Sequence, residues 1–275
     1  MAEPAIPSWG STFRLTASER WKAKSAALGA NVTSALVEYA APKKGMQVLD
    51  LGSGTGEPGI TIAGIVNPTG HVTALDQSTE LLEIAEARAQ QRGLANFTTC
   101  LTSAETLPFP ENRFDLIASR FAVMFFASDA LREARRVLKP GARACFAAWG
   151  PFEQPYWSSM MGIVHKHVGG PLLPASHDPF RFSRPGSLSS ALEQAGFSRV
   201  EEQTVDIPWN WPGTKEDLWE YAQSVAAPFR PMLERVPVEK WNAIHQEVHN
   251  ALQAHVERDT VKFNVAVVLA SGTKP

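Results

Sequence analysis

Three glycines at alternate positions, Gly52, Gly54 and Gly56, follow the apolar run Val48, Leu49, Asp50, Leu51. A residue without Cβ takes positive φ at no steric cost and lets backbone amides approach a ligand closely. Ligands of open α/β sheets sit beyond the carboxyl ends of the strands, and a strand running into such a loop and then a helix is in that place. The spacing separates two kinds of ligand. A dinucleotide pyrophosphate calls for G-x-G-x-x-G, whereas this loop reads G-x-G-x-G and has Glu57 where the third glycine is needed. A carboxylate there repels a diphosphate. Glu57 and Asp50 around the loop suit a ligand with positive charge, as a sulfonium and an amino-acid ammonium have.

Asp76 ends the next apolar run, HVTALD. A carboxylate at that strand end is placed to accept hydrogen bonds from both ribose hydroxyls of an adenosine cofactor. Alone it is equally an N-cap; beside the glycine loop it reads as a ribose holder.

These residues need a parallel sheet to present them. Short apolar runs at 46–51, 71–76, 97–101, 114–119 and 142–149 have the length of buried strands, and helical patterns at 57–66, 78–92 and 129–138 fall between them. The alternation predicts an α/β fold with a doubly wound sheet. Upstream, Thr16 and Glu19 form a capping-box pattern for a helix to about residue 28, and Asn31 reads as the N-cap of a second helix stopped by Pro42. Downstream, 150–186 has no clear period, a helix at 187–195 and a strand at 198–206 return to the sheet, and Thr214 to Asp217 starts a helical block reaching 258. A last strand at 261–270 would close the sheet at its edge. The expected organisation is an N-terminal lid (1–30), a cofactor-binding core (31–150), a substrate cap (151–258) with its return strand, and a final core strand (259–275).

VLDLGSGTG, ALD, AETLPF, FDLIASRFAVMFF and LREARRVLKPGA, in unbroken order over residues 32–150, together resemble a class I S-adenosylmethionine-dependent methyltransferase. The resemblance is to the broad group that includes the ubiquinone/menaquinone C-methyltransferases (methyltransferase type 11). It implies a Rossmann-like seven-stranded sheet and S-adenosylmethionine as cofactor. By it, Asp50 and the loop residues Gly52, Ser53, Gly54 and Gly56 line the methionine end, Asp76 holds the ribose, and Gln77 lies beside the adenine. Ser103 and Ala104 contact the adenine edge, and Ser119 and Arg120 sit after the fourth strand beside the methionine. The chain departs from the family's frequent Asp-Ala-Glu with Ser103, Ala104 and Glu105; a serine hydroxyl still accepts from an adenine amino group.

Methyl transfer is an in-line displacement that asks the protein for positioning and, for a protonated nucleophile, a base. Two cysteines do not supply the thiolate set of arsenite methylation. Ser119, Arg120, Phe121, Ala122 replace the Asn/Asp-Pro-Pro-Tyr run associated with base amino-methylation, and Ser119 is no ligand for metal-dependent catechol methylation. A small, apolar or aromatic acceptor remains, for O- or C-methylation. Its pocket candidates are Phe121, Met124, Phe125, Trp149, Tyr156, Trp157, Trp209 and Trp211, with Trp9 and Trp21 on the N-terminal segment. His165 is the candidate base. His245 and His249, at i, i+4, are expected to face solvent because Ile244, Val248 and Leu252 take the buried face.

Composition agrees with a globular enzyme: 275 residues, 44% hydrophobic and 20% charged, with 26 Lys+Arg against 28 Asp+Glu. No dense basic run is present to neutralise phosphates, so a nucleic-acid partner is disfavoured. Cys100 and Cys145 read as reduced core thiols, and no metal site is expected. With no signal-peptide pattern and no apolar stretch of membrane-spanning length, the expected location is the cytoplasm. Two other functions compete. An NAD(P)-dependent oxidoreductase is opposed by Glu57 and by the lack of a Tyr-x-x-x-Lys pair, and a catalytically silent S-adenosylmethionine-binding partner protein is the third reading.

Overall fold

The computed structural model describes residues 20–174 and 177–275. Helix α1 (Lys22–Ala40) leads into β1 (Gln47–Leu51), α2 (Gly59–Val66), β2 (His71–Asp76), α3 (Thr79–Gln91), β3 (Phe97–Leu101), β4 (Phe114–Arg120), α4 (Ser128–Val137) and β5 (Leu138–Trp149). Short helical turns between 155 and 168 follow, then α5 (Ser187–Gln194), β6 (Ser198–Trp211), α6 (Lys215–Val225), α7 (Trp241–Gln253), β7 (Val256–Glu257) and β8 (Thr260–Thr273).

The sheet order is β3-β2-β1-β4-β5-β8-β6, with β7 pairing only to β8. Strands β1 to β5 are parallel to their neighbours, and β8 is antiparallel to β5. The chain winds outward from β1 to β3 on one side and from β4 on the other, so the crevice beyond the carboxyl ends of β1 and β4 is the switch point where such sheets hold ligands. This is the Rossmann-like architecture expected, with the two-residue β7 added to seven strands.

Two local expectations are corrected. The last strand lies between β5 and β6, and β6 takes the edge. Burial explains the exchange: β8 is buried without interruption from Val267 to Gly272, whereas most of β6 between 198 and 206 is accessible, as an edge strand tolerates. At the other end of the chain, the two helices expected to meet at Asn31 are one, α1. Leu28, Val32, Leu36 and Ala40 continue one buried stripe through Gly29, and their burial outweighs the roughly 1 kcal/mol that an interior glycine costs. The Asn31 side chain caps nothing and donates to Pro208 O at 2.8 Å. The capping box at Thr16 and Glu19 lies outside the described residues, as does Trp9.

The chain divides into two compact units. One comprises 32–151, 179–205 and 266–275, and therefore β1 to β5, α2 to α5, and the parts of β6 and β8 within those bounds. Its core is built from side chains such as Leu49, Ile117 and Phe146 that no solvent reaches. The other comprises the described residues as far as Asn31, with 152–178 and 206–265. Its interior is aromatic: Trp211 packs on Trp21 at 5.5 Å and on Tyr221 at 4.7 Å between centroids, and Tyr156 meets Trp157, Trp209 and Phe263 edge-on. Thr214 accepts from Asp217 N at the start of α6, as the sequence signal predicts. Among the described residues no helix is long and apolar enough to cross a membrane.

Candidate functional site

The glycine loop turns at the end of β1 with φ of +66° at Gly52, +53° at Gly54 and +108° at Gly56. The three are needed for different reasons. A Cβ on Gly52 would stand 2.4 Å from Ala122 Cβ, and one on Gly56 would stand 2.4 Å from Ile60 Cδ1, so both glycines serve packing within the protein. A Cβ on Gly54 would meet nothing within 4 Å. Gly54 is thus the position where backbone faces open space, available to a ligand.

Asp50 lies beneath this loop, fully buried. Its Oδ2 accepts from Gly59 N at 2.9 Å, satisfying one of the orphan amides that open α2. Its Oδ1 and the buried Ser53 Oγ have no protein partner. Burial pushes the Asp50 carboxyl up to about 7, against the pull of the Gly59 amide and of Arg120, with Glu57 and Asp76 adding to the rise. Unpartnered buried polar atoms cost stability unless a ligand completes them. Two acceptors beside an open glycine fit a group that brings donors and positive charge, which the ammonium of S-adenosylmethionine does.

Glu57 is placed otherwise than expected. Its carboxylate accepts from Thr61 N and Oγ1 at 3.2 and 2.7 Å and pairs with Arg92 at 3.4 Å, so it is occupied by the first turn of α2 and by α3. The acidic character of the loop rests on Asp50 and Asp76.

Asp76 ends β2 directly beside the loop. Its Oδ2 accepts from Gly54 N at 2.8 Å and its Oδ1 from Ser78 N at 3.1 Å, leaving each oxygen a second lone pair. Gln77 is exposed next to it and Ala104 is buried. Ser103 is drawn into a local turn in which its hydroxyl bonds Glu105, whose other oxygen takes Ala127 N at 3.0 Å.

At the end of β4, Ser119 is buried and donates to Leu51 O at 2.7 Å, fastening β4 to the strand that carries the loop. Arg120 bonds Thr33 through its guanidinium and lies close enough to Asp50 to favour its charge. Phe121 follows with φ +56°, a left-handed backbone that bulky residues rarely keep without a constraint. Its ring stacks on Trp149, centroids 4.1 Å apart and planes 5° from parallel. Met124 is buried and Phe125 half-buried in the turn beyond.

The remaining candidates belong to the other unit. Trp21, Tyr156, Trp157, Trp209 and Trp211 are all buried there in the aromatic cluster. His165 Nε2 lies 2.9 Å from Gly170 O. His245 and His249 are half-buried and not fully turned to solvent: His245 Nδ1 accepts from Trp219 Nε1 at 2.7 Å and its ring stacks on Trp241, and burial with His249 nearby lowers its basicity. Hydrophobic period places the apolar face of α7 but is blind to an indole donor arriving from α6. Among the described residues no group of His, Cys, Asp and Glu is arranged to hold a metal ion. Cys145 is buried and its thiol pushed to about 12 by burial, while Cys100 is only half-buried, at the open side of β3.

Two arginines that shape the site carried no sequence signal. Arg88 on α3 donates to Thr55 O and Oγ1 at 3.2 and 2.6 Å, gripping the loop tip. Arg181 donates to Val123 O and Phe126 O at 3.2 and 2.8 Å. Each works on backbone carbonyls far away in the chain, a relation that no residue spacing announces.

Comparison with known proteins gives the family. Residues 42–155 match a family described as Methyltransferase domain. A ubiquinone/menaquinone biosynthesis C-methyltransferase UbiE of Ectopseudomonas mendocina is 34% identical over 178 residues, 60% of this chain and 70% of the relative. The UbiE of Bartonella quintana is 32% identical over 173 residues, 58% of this chain and 66% of the relative. The chain thus spans about two thirds of the length of these relatives. In fold it is similar to the YcgJ protein of Bacillus subtilis, with a TM-score of 0.56 and 21% identity over 88% of this chain and 97% of that one. A SAM-dependent methyltransferase from Aquifex aeolicus gives 0.51 and 24% over 70% and 92%. Identity of 34% sustained along 70% of a relative's length is kinship as well as shared architecture, and the chain belongs to the class I S-adenosylmethionine-dependent methyltransferases, in the group of the UbiE C-methyltransferases.

Proposed function

We propose that this methyltransferase moves the methyl group of S-adenosylmethionine to a carbon or oxygen of a small, apolar or aromatic acceptor. The observation that carries the reading is the Phe121–Trp149 stack, an aromatic wall at the carboxyl ends of β4 and β5, the side of the sheet on which Asp50, Gly54 and Asp76 lie. A flat ring held against such a wall has its reacting atom oriented, and orientation is most of what this displacement asks for. The net charge of −2 favours a small acceptor over a nucleic acid.

The cofactor supplies the methyl group on a sulfonium sulfur. Asp76, with its remaining lone pairs, holds the ribose, and the open backbone at Gly54 admits the methionine portion. Asp50 Oδ1 and Ser53 Oγ take the ammonium. Gln77, Ser103 and Ala104 border the adenine, and Ser119 and Arg120 border the methionine. Aromatic side chains exclude water, which strengthens these electrostatic contacts. Trp21, Tyr156, Trp157 and Trp209 are the proposed acceptor contacts, and His165 the proposed base for an acceptor that arrives protonated. An acceptor that ionises by itself, a phenol or enol, needs none.

The test is incubation with methyl-labelled S-adenosylmethionine and a panel of phenols, quinols and enols. Transfer of label to a ring carbon or oxygen supports the proposal. Cofactor binding with no labelled product from any member would favour the silent cofactor-binding protein.

A further inference from the structure

The segment that leaves β4 is held from several directions. Phe121 N donates to Ala147 O at 2.9 Å, Ala127 N is held by Glu105, and the turn Val123–Phe125 carries its own bonds from Phe125 N to Ala122 O and from Phe126 N to Val123 O. Ala122 and the Phe126 ring form the surface against which Gly52 rests: a Cβ there would lie 2.4 Å from the first and 3.6 Å from the second. Position of this turn therefore sets position of the first glycine of the loop. Val123 O already accepts from Phe126 N at 3.3 Å, and one nitrogen of Arg181, Nη2, adds a second bond to it and another to Phe126 O, tying the two ends of the turn together. Arg181 is itself exposed but fixed at its base, since Phe180 and Phe182 on either side are buried and its guanidinium lies 4.4 Å above the Phe182 ring.

We infer that Arg181 is a positioning residue for cofactor binding: by capping the Val123–Phe125 turn it holds Ala122 and Phe126 against Gly52 and keeps the glycine loop in the conformation that accepts the methionine end. The inference rests on the reading that loop 52–56 holds the cofactor. Without the guanidinium Phe126 O turns to water and Val123 O keeps only its bond from Phe126 N, the left-handed conformation of Phe121 loses its downstream anchor, and the loop must be ordered again when ligand binds, so affinity falls.

The experiment measures S-adenosylhomocysteine affinity by calorimetry and unfolding midpoints for the full chain, Arg181→Ala, Arg181→Lys and Asp76→Ala. Arg181→Ala is expected to bind about tenfold more weakly with a nearly unchanged midpoint, because an exposed side chain leaves no cavity. Arg181→Lys is expected to recover to within about threefold, since both bonds come from one nitrogen and an ammonium can also make two. A loss below about threefold in Arg181→Ala overturns the inference, as does an Arg181→Lys no better than Arg181→Ala. If the Ala variant does not fold, Arg181→Gln with the Lys variant decides by the same criteria. Wild-type chain that fails to bind, or Asp76→Ala that binds normally, refutes the loop reading itself and is thereby distinguished from failure of the Arg181 role alone.

Discussion

Asp76 Oδ2 accepts the backbone N–H of Gly54 at 2.8 Å, joining the end of β2 to the one loop glycine that faces open space. The carboxylate proposed for the ribose thereby also orders the backbone proposed for the methionine.

Asp76→Ala removes both. The expected loss in affinity for S-adenosylhomocysteine is about 1.5–3 kcal/mol, the worth of hydrogen bonds to a charged partner, with the protein still folded. A change below about twofold, measured by calorimetry, would mean that the ribose lies elsewhere.

The glycines separate by variant. Gly54→Val has room for its side chain in the protein and is expected to abolish cofactor binding, with a stability cost of about 1–2 kcal/mol for positive φ. Gly52→Ala forces a contact with Ala122 and is expected to lower the unfolding midpoint considerably more. Equal midpoints for the two, with normal binding by Gly54→Val, would contradict the assignment.

Asp50 gives a pH dependence with a definite sign. Its carboxyl is raised from 3.8 to about 7 in the folded protein, so the folded state holds the proton more tightly than the unfolded chain. The resulting stability, on the order of 4 kcal/mol, is fully present below the unfolded value and lost as pH rises through about 7. The ligand-free protein should lose midpoint temperature across that window, and Asp50→Asn should flatten the fall. Because a cationic ligand favours ionised Asp50, affinity should rise over the same window. Parallel wild-type and Asp50→Asn denaturation profiles would refute this.

Phe121→Ala is expected to raise KM for the methyl acceptor by about two- to tenfold, an aromatic stacking contact being worth about 0.5–1.5 kcal/mol, while S-adenosylmethionine affinity stays within about twofold. An unchanged acceptor KM in steady-state kinetics would remove the aromatic wall from the reaction.

The positions of the loop and of Asp76 were legible because three glycines at alternate positions and a carboxylate each directly follow a short apolar run, which marks the carboxyl ends of two buried strands. The strands were legible because buried parallel strands are continuous apolar runs. Asn31 misled because N-cap chemistry is local while α1 is held by burial on either side of Gly29. His245 misled because periodicity locates an apolar face but not the Trp219 donor that meets its flank. The edge was misassigned because the last strand in the chain was given the last place in the sheet, although the continuous apolar run of β8 suits an interior strand and the polar first half of β6 suits an accessible edge. Arg88 and Arg181 were invisible because their partners are carbonyls, which every residue has.

The central claim is that the glycine loop is built for a sulfonium nucleoside and not a dinucleotide. Calorimetric titration of the full chain with S-adenosylhomocysteine and, separately, NADH tests it most directly. The account predicts saturable binding of S-adenosylhomocysteine at one site per chain, weakened by Asp76→Ala, and no measurable heat of binding with NADH. NADH binding as tight as S-adenosylhomocysteine, or no binding of S-adenosylhomocysteine, would contradict it.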